Sequence, residues 1–306
     1  LQAGVRRETI RNAVDDSIPY GEAVTAATVA GYQARTLEGG NVRHSETLFN
    51  LGAVYELTDS QQLFANFSQG FSLPDTQRML RDVPASFVID SSSIDSIKVN
   101  NYELGWRLGD ASGLNAGVTA FYNTSDKVVQ FNRDFSVSVA DTDERVWGAE
   151  GNLQVPVAEG WTLGGTLAYT RGQYKDAAGN WRELNAFRVS PLKATVYSDW
   201  RFLDGYGVRL QALTVGGSDR AYDDAQSAAI SPTIRATPAT KIQGYTVVDL
   251  IAHAPWLGGE VGFGAYNLAN RDYKTVYGQQ AEATYGAISS LPAAGRTFGL
   301  SYSVAY

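Results

Sequence analysis

No cysteine occurs in the 306 residues. A disulfide framework, a thiolate metal site and a cysteine nucleophile are therefore excluded. Only two histidines are present, His44 and His253, which leaves little room for a histidine-rich metal centre. No apolar run approaches the roughly 18 residues of a transmembrane helix. That absence does not exclude a membrane, because barrel strands alternate and score weakly on hydropathy. Charge is scarce too, at 19% of residues, against the usual quarter or so. The balance of 25 basic to 32 acidic residues gives a net charge of −7, which argues against a nucleic-acid footprint. What the chain has in excess is glycine (31), tyrosine (17) and tryptophan (6), the opposite of a disordered composition. Its length exceeds an ordinary domain, but all-β barrels reach this size as single units.

Hydrophobicity alternates with period two almost throughout. Trp161, Leu163, Gly165, Leu167 and Tyr169 alternate with Thr162, Gly164, Thr166 and Ala168; Leu114, Ala116, Val118, Ala120 and Tyr122 repeat the pattern. No segment has a helical period of useful length. About twelve strands are expected, starting near Leu1, Thr47, Gln62, Asn101, Leu114, Val146, Trp161, Leu192, Val208, Tyr245, Glu260 and Thr297. Each is near the 9–11 residues or so that cross a bilayer as a tilted strand.

Connections alternate in length. Short turns at Thr58-Asp59-Ser60, Gly109–Ser112, Ala158-Glu159-Gly160, Asp204-Gly205 and Leu257-Gly258-Gly259 supply Gly or Asp where positive φ is needed. Long connections fall at 15–45, 73–99, 126–144, 176–187, 219–242 and 271–294. Short turns on one rim and long loops on the other form the pattern of an outer-membrane barrel. One register is apolar and aromatic (Tyr102, Leu104, Trp106, Leu108); the other carries Asn101, Glu103, Gly105 and Arg107. A soluble barrel or sandwich would put the apolar register inside, a membrane barrel outside, and alternation by itself is consistent with both. Aromatics near strand ends (Trp106, Trp147, Trp161, Tyr169, Trp200, Phe202) and mixed charges on the polar register favour the membrane barrel.

Five stretches resemble one family in order and spacing. They are Phe64-Ala65-Asn66-Phe67-Ser68-Gln69-Gly70-Phe71, Asn101-Tyr102-Glu103-Leu104-Gly105, Gly244-Tyr245-Thr246-Val247-Val248-Asp249-Leu250, Tyr266-Asn267-Leu268-Ala269-Asn270-Arg271-Asp272-Tyr273 and the terminal Gly295–Tyr306. Together they resemble the TonB-dependent outer-membrane receptors. The run Asp272–Gln279 followed by Gly295–Leu300 is most similar to receptors for ferric aerobactin and related hydroxamate siderophores. The resemblance implies an all-β, antiparallel transmembrane barrel of about 22 strands around a plug. Residues 1–306 would then be its C-terminal part, without plug, TonB box or earlier strands. It implies uptake of a ferric siderophore as transported ligand, no cofactor and no enzymatic activity. The implied location is the outer membrane of a Gram-negative bacterium. The implied partners are lipid, lipopolysaccharide and, through the missing N-terminal region, the TonB complex. No nucleic-acid partner is expected.

Capture of a bulky, often anionic chelate calls for aromatic walls and cationic donors at the outer mouth. The chelator's own oxygens saturate the iron, so protein carboxylates need not bind it. Candidates on the long loops are Arg78, Arg81, Arg220, Tyr222, Tyr273, Tyr277 and Tyr285, with Trp181, Arg182 and Lys274 beside them. Most residues of such loops are plain surface. The rival is a stand-alone twelve-stranded pore or outer-membrane hydrolase. A hydrolase needs a histidine beside a serine or between carboxylates at the outer rim. His253 falls near the opposite rim, and His44 and Ser45, adjacent on a strand, would face opposite ways. The acidic residues Asp141, Asp143, Glu144, Asp223 and Asp224 lack the spacing of a calcium loop.

Overall fold

A computed structural model describes residues 1–304 except 82, 84–86, 91–93, 132–136, 177, 187 and 221–240. Twelve antiparallel strands follow one another in a single sheet. They are β1 (Gln2–Val14), β2 (Gly40–Thr58), β3 (Gln61–Ser72), β4 (Ile97–Gly109), β5 (Asn115–Ser125), β8 (Glu144–Ala158), β9 (Trp161–Lys175), β11 (Lys193–Phe202), β12 (Tyr206–Val215), β13 (Tyr245–Trp256), β14 (Gly259–Tyr266) and β15 (Thr297–Ser303). Short β10 (Trp181–Glu183) adds to the outer end of β9, and β6 (Val128–Phe131) pairs with β7 (Val137–Ala140) as a separate hairpin. β1 and β15 are not paired with each other, so the sheet is open.

The expected strand starts agree with the structure to within two residues except at β4, which begins four residues earlier at Ile97, and at β2, which begins at Gly40. Its pairing with β1 runs out to Val14↔Gly40. Beyond Phe49 the outer register turns polar (Thr47, Ser45, Arg43), so hydrophobic alternation ends before hydrogen bonding does. The hairpin rises past the apolar belt. Among the described residues, three short α-helices sit in the long connections: α1 (Tyr20–Thr28), α2 (Thr76–Met79) and α3 (Val276–Tyr285). None was signalled by periodicity, because none buries a continuous apolar stripe. α3 is set by its ends instead: Thr275 Oγ1 accepts from Gly278 N at 3.1 Å, and Gly286 leaves the helix at φ 81°. Between β13 and β14 the two turn residues Leu257 and Gly258 both have positive φ, 46° and 77°, as the tightest hairpin loop requires.

Registers sort the side chains into two faces. Leu51, Phe67, Tyr102, Tyr122 and Trp147 are successive cross-strand partners, giving an apolar row across five strands, aromatic on four of them. Trp161 and Trp200 pair toward the short-turn rim. This face is bare: Leu104 is 62% and Val196 61% exposed. On the other face Asn66 opposes Glu103, Asp199 opposes Arg209 and Gln211 opposes Asp249. Its few large rings fill the gaps left by glycine. A Cβ at Gly105 would lie 2.3 Å from Phe64, and one at Gly148 2.7 Å from Phe121, so only glycine admits these rings flat on the neighbouring strand.

The main buried apolar cluster is formed mostly by loop residues, packed against the outer ends of β1 and β2. Leu37, Val42, Met79, Leu80, Ile89 and Ile94 pack together, joined by Val14, Phe87, Val129 and Val139. The described parts of connections 15–39, 73–96 and 126–143 therefore fold into one cap. It rests on the polar face, where Val42 and His44 are buried.

Candidate functional site

The outer ends of the last three long strands are tied by residues from three of the five motif stretches. Asn267, 3% exposed, is the hub. Its backbone N–H donates to Asp249 Oδ1 at 2.9 Å, and its side chain donates to the carbonyls of Arg271 (2.8 Å) and Ala294 (3.1 Å). Its Oδ1 accepts from Arg271 N at 2.8 Å. Asn270 Oδ1 accepts from Arg296 N at 2.9 Å. Both asparagines have positive φ, which asparagine tolerates better than most side chains. The network closes the base of connection 271–294, which the sequence marks only as a long loop.

Above this hub, α3 is pinned to the start of β13. Gln279 Oε1 accepts from Gln243 N at 2.8 Å while its Nε2 donates to Gln243 O and Lys274 O, each at 3.0 Å. Between these elements opens a cleft of about 450 Å³, lined in part by Lys241, Tyr245, Arg271, Tyr273, Lys274 and Glu282. Tyr245 and Tyr273 form one wall, ring centroids 4.6 Å apart. Lys274 Nζ donates to Glu282 at 2.6 Å and holds that carboxyl below the usual carboxylate range. An aromatic wall with cations on one side can take a flat or polar anion.

Of the candidates named from sequence, Tyr273 and Lys274 line this cleft. Tyr277 and Tyr285, 70% and 41% exposed, lie on α3 outside it. Arg78 and Arg81 belong to the cap. Arg78 pairs with Asp75 at 3.5 Å, and Arg81 lies 4.3 Å from the Tyr20 ring. Trp181 and Arg182 are on β10, Trp181 stacked 3.9 Å from the Arg145 guanidinium. Arg220 is not among the cleft residues; its Nη1 donates to Thr170 O at 2.6 Å, with the guanidinium 5.2 Å from Tyr169. Tyr222 lies outside the described residues. Sequence reading missed Lys241, Tyr245, Arg271 and Glu282 as site residues. The available signal was that the ends of adjacent hairpins meet at one rim.

A second polar cluster lies under the cap. Lys127 bonds both Asp141 (2.6 Å) and Asp95 (2.8 Å), in that order the causes of its raised pKa. His44 Nε2 meets Ile94 O at 2.6 Å. Ser45 points to the other face, its Oγ 2.9 Å from Thr9 Oγ1, so His44 and Ser45 do not meet. His253 lies near the short-turn rim with its ring against Gly207. Among the described residues no three His, Asp or Glu gather as a metal ion would need.

Comparison with known proteins places this geometry. The family described as TonB dependent receptor-like, beta-barrel matches residues 1–268. The Ferric aerobactin receptor of Klebsiella pneumoniae is 32% identical over the whole chain, which covers 42% of that receptor. The Rhizobactin receptor of Rhizobium meliloti (strain 1021) is 30% identical over 98% of the chain and 40% of its own length. The chain thus spans about two-fifths of these curated relatives. In fold, the copper transporter OprC superimposes with a TM-score of 0.75 at 16% identity, over 97% of this chain and 44% of that one. The Ferric-Catecholate import receptor Fiu from E. coli K12 gives 0.67 at 20%, over 97% and 41%. With the family's barrel model matching residues 1–268, most of this chain, and with the whole chain at 32% identity to a receptor of that family, the chain belongs to the TonB-dependent receptors.

Proposed function

We propose that the whole protein is an outer-membrane receptor that captures a ferric siderophore at its long-loop mouth and passes it inward when driven by TonB. Residues 1–306 would supply the C-terminal part of the barrel, the plug and energy-coupling segment lying in the part not covered. Short turns then face the periplasm and long loops the outside. Names of relatives at 30–32% identity support a chelate of the aerobactin or rhizobactin kind. The observation that carries the reading is the cleft of Tyr245, Tyr273, Arg271 and Lys274 at the outer rim of the polar face. Arg78, Arg81, Tyr277 and Tyr285 would line the approach. The ligand's outer surface is polar and often anionic, so a cation beside a tyrosine wall suits it.

Equilibrium binding of ferric siderophores to the intact receptor tests this. Lys274→Ala is expected to weaken binding of an anionic chelate by about 10- to 150-fold, as loss of a charge-assisted contact of about 1.5–3 kcal/mol. Glu282→Gln frees Lys274 from its pair and is expected to leave binding intact or tighten it. A ligand that ignores both changes does not use this cleft. Tight binding of a non-ferric ligand with no ferric siderophore bound would overturn the substrate class.

A further inference from the structure

The two sides of the cleft are held by different means. The strand side belongs to the sheet. Tyr245 is the outermost rung of β13 on β12, opposite Val215. Just before it, Ile242 and Ser218 exchange both backbone hydrogen bonds, at 2.7 and 3.0 Å. A Cβ at Gly244 would lie 2.8 Å from Gly217 N and 2.9 Å from Val215 O, so only glycine lets the chain close this tightly on its neighbour. The wall that carries Tyr245 is therefore fixed by the sheet.

The helix side is attached differently. Because Ile242 spends its backbone groups on Ser218, those of Gln243 point the other way. On that side β14 pairs with β13 only out to Leu250↔Ala265, so β14 does not reach Gln243. Gln279 of α3 stands in its place. Its Oε1 accepts from Gln243 N at 2.8 Å and its Nε2 donates to Gln243 O at 3.0 Å, as a neighbouring strand would. The second Nε2 hydrogen goes to Lys274 O at 3.0 Å, which uses both donors of the amide. One side chain thus ties the backbone that carries Lys274 to the strand end that carries Tyr245. It can be altered without changing either wall.

We propose that Gln279 is a positioning residue of the cleft, setting the gap across which Lys274 and the tyrosine wall grip the ligand. The inference rests on the reading of the cleft as the capture site. A gap fixed beforehand spares the ligand the cost of ordering the loop, so loosening it shows mainly in how long the ligand stays.

Stopped-flow binding and release of ferric aerobactin by the intact receptor tests this, with stoichiometry at saturation measured in parallel. Gln279→Met keeps the length of the side chain and removes all three bonds. It is expected to speed release about tenfold, with the association rate and stoichiometry unchanged. Gln279→Glu keeps the acceptor for Gln243 N, and its carboxyl can donate to a carbonyl only when protonated. Its release rate relative to wild type is expected to match that of Gln279→Met at about pH 8 and to return toward wild type by about pH 5. The Gln279→Met ratio should stay flat over the same range. Lost stoichiometry with wild-type release rates would mark a merely structural role and overturn the proposal, as would a flat ratio for Gln279→Glu. Without ligand, hydrogen exchange across α3 is expected to rise about tenfold in Gln279→Met, as for one lost net contact, with β13 unchanged. Equal exchange overturns the proposal whichever ligand the receptor takes. Lys274→Ala, run alongside, separates the two readings. If it weakens binding while Gln279→Met releases ligand like wild type, this inference alone falls; if neither alters binding, the cleft reading falls with it.

Discussion

Asn267 shows how much one polar side chain can organise. It makes three side-chain hydrogen bonds at the start of a long loop, in a backbone conformation with φ 51°. Its amide also reaches Asp249, itself hydrogen-bonded by Gln211 on β12. Removing the side chain leaves buried backbone groups unpaired, at about 1–3 kcal/mol. Asn267→Ala is expected to raise hydrogen exchange across 268–296 while the strands stay protected. Asn267→Gly, free of the positive-φ penalty, is expected to do so by a smaller margin. Equal protection in wild type and both variants would assign the loop's order to α3 instead.

At the scale of the element, the loops divide by what holds them. α3 is held by capping and by Gln279. In the first loop, carrying α1, the carboxylate of Glu22 ties the helix to the segment after it. Glu22 accepts from Tyr32 Oη at 2.6 Å and from Arg35 at 2.9 and 3.2 Å. These bonds, Tyr32's foremost, bring its pKa down from 4.5 to about 2. Because the folded value is the lower one, the stabilisation is complete above pH 4.5 and is lost as pH falls toward about 2. Hydrogen exchange of 20–35 is expected to rise on acidification through that window. In Glu22→Gln the protection should be weaker at neutral pH and flat across the window. An unchanged pH profile in the variant would locate the acid-sensitive contact elsewhere. Gly21 N–H donates to Arg81 O, so loosening this loop should spread into the cap.

For the whole molecule, the decisive question is which face meets hydrocarbon. Only a closed sheet satisfies its backbone in lipid, and its apolar register then faces out. The cap supports the same sense, since it folds over the polar face and leaves the aromatic one bare. Leu167→Arg on the outward register is expected to cost about 2–4 kcal/mol near mid-membrane. Gln211→Arg, which faces the lumen beside Asp249, should cost little. Unfolding titrations of the intact receptor in lipid compare the two, and equal tolerance would contradict the orientation.

Period-two alternation and glycine-bearing turns determined the twelve strands, their order and the contrast of rims, because each depends on neighbours in the chain. The motif stretches carried the family for the same reason, and the apolar row could be drawn once registers followed from the short turns. The cap, the three helices and the cleft were decided only in three dimensions. Leu37, Met79 and Ile94 have no periodic relation, and they meet because adjacent hairpins bring separate loops over one mouth. Tyr245 reads as an ordinary strand residue until the chain returns 28 positions later (273 − 245) to lay Tyr273 against it. Arg220 reads as a loop cation, and only the fold sets its guanidinium against a carbonyl of β9. Local pattern fixes what lies along a strand; what faces it across a loop depends on contacts that no local pattern encodes.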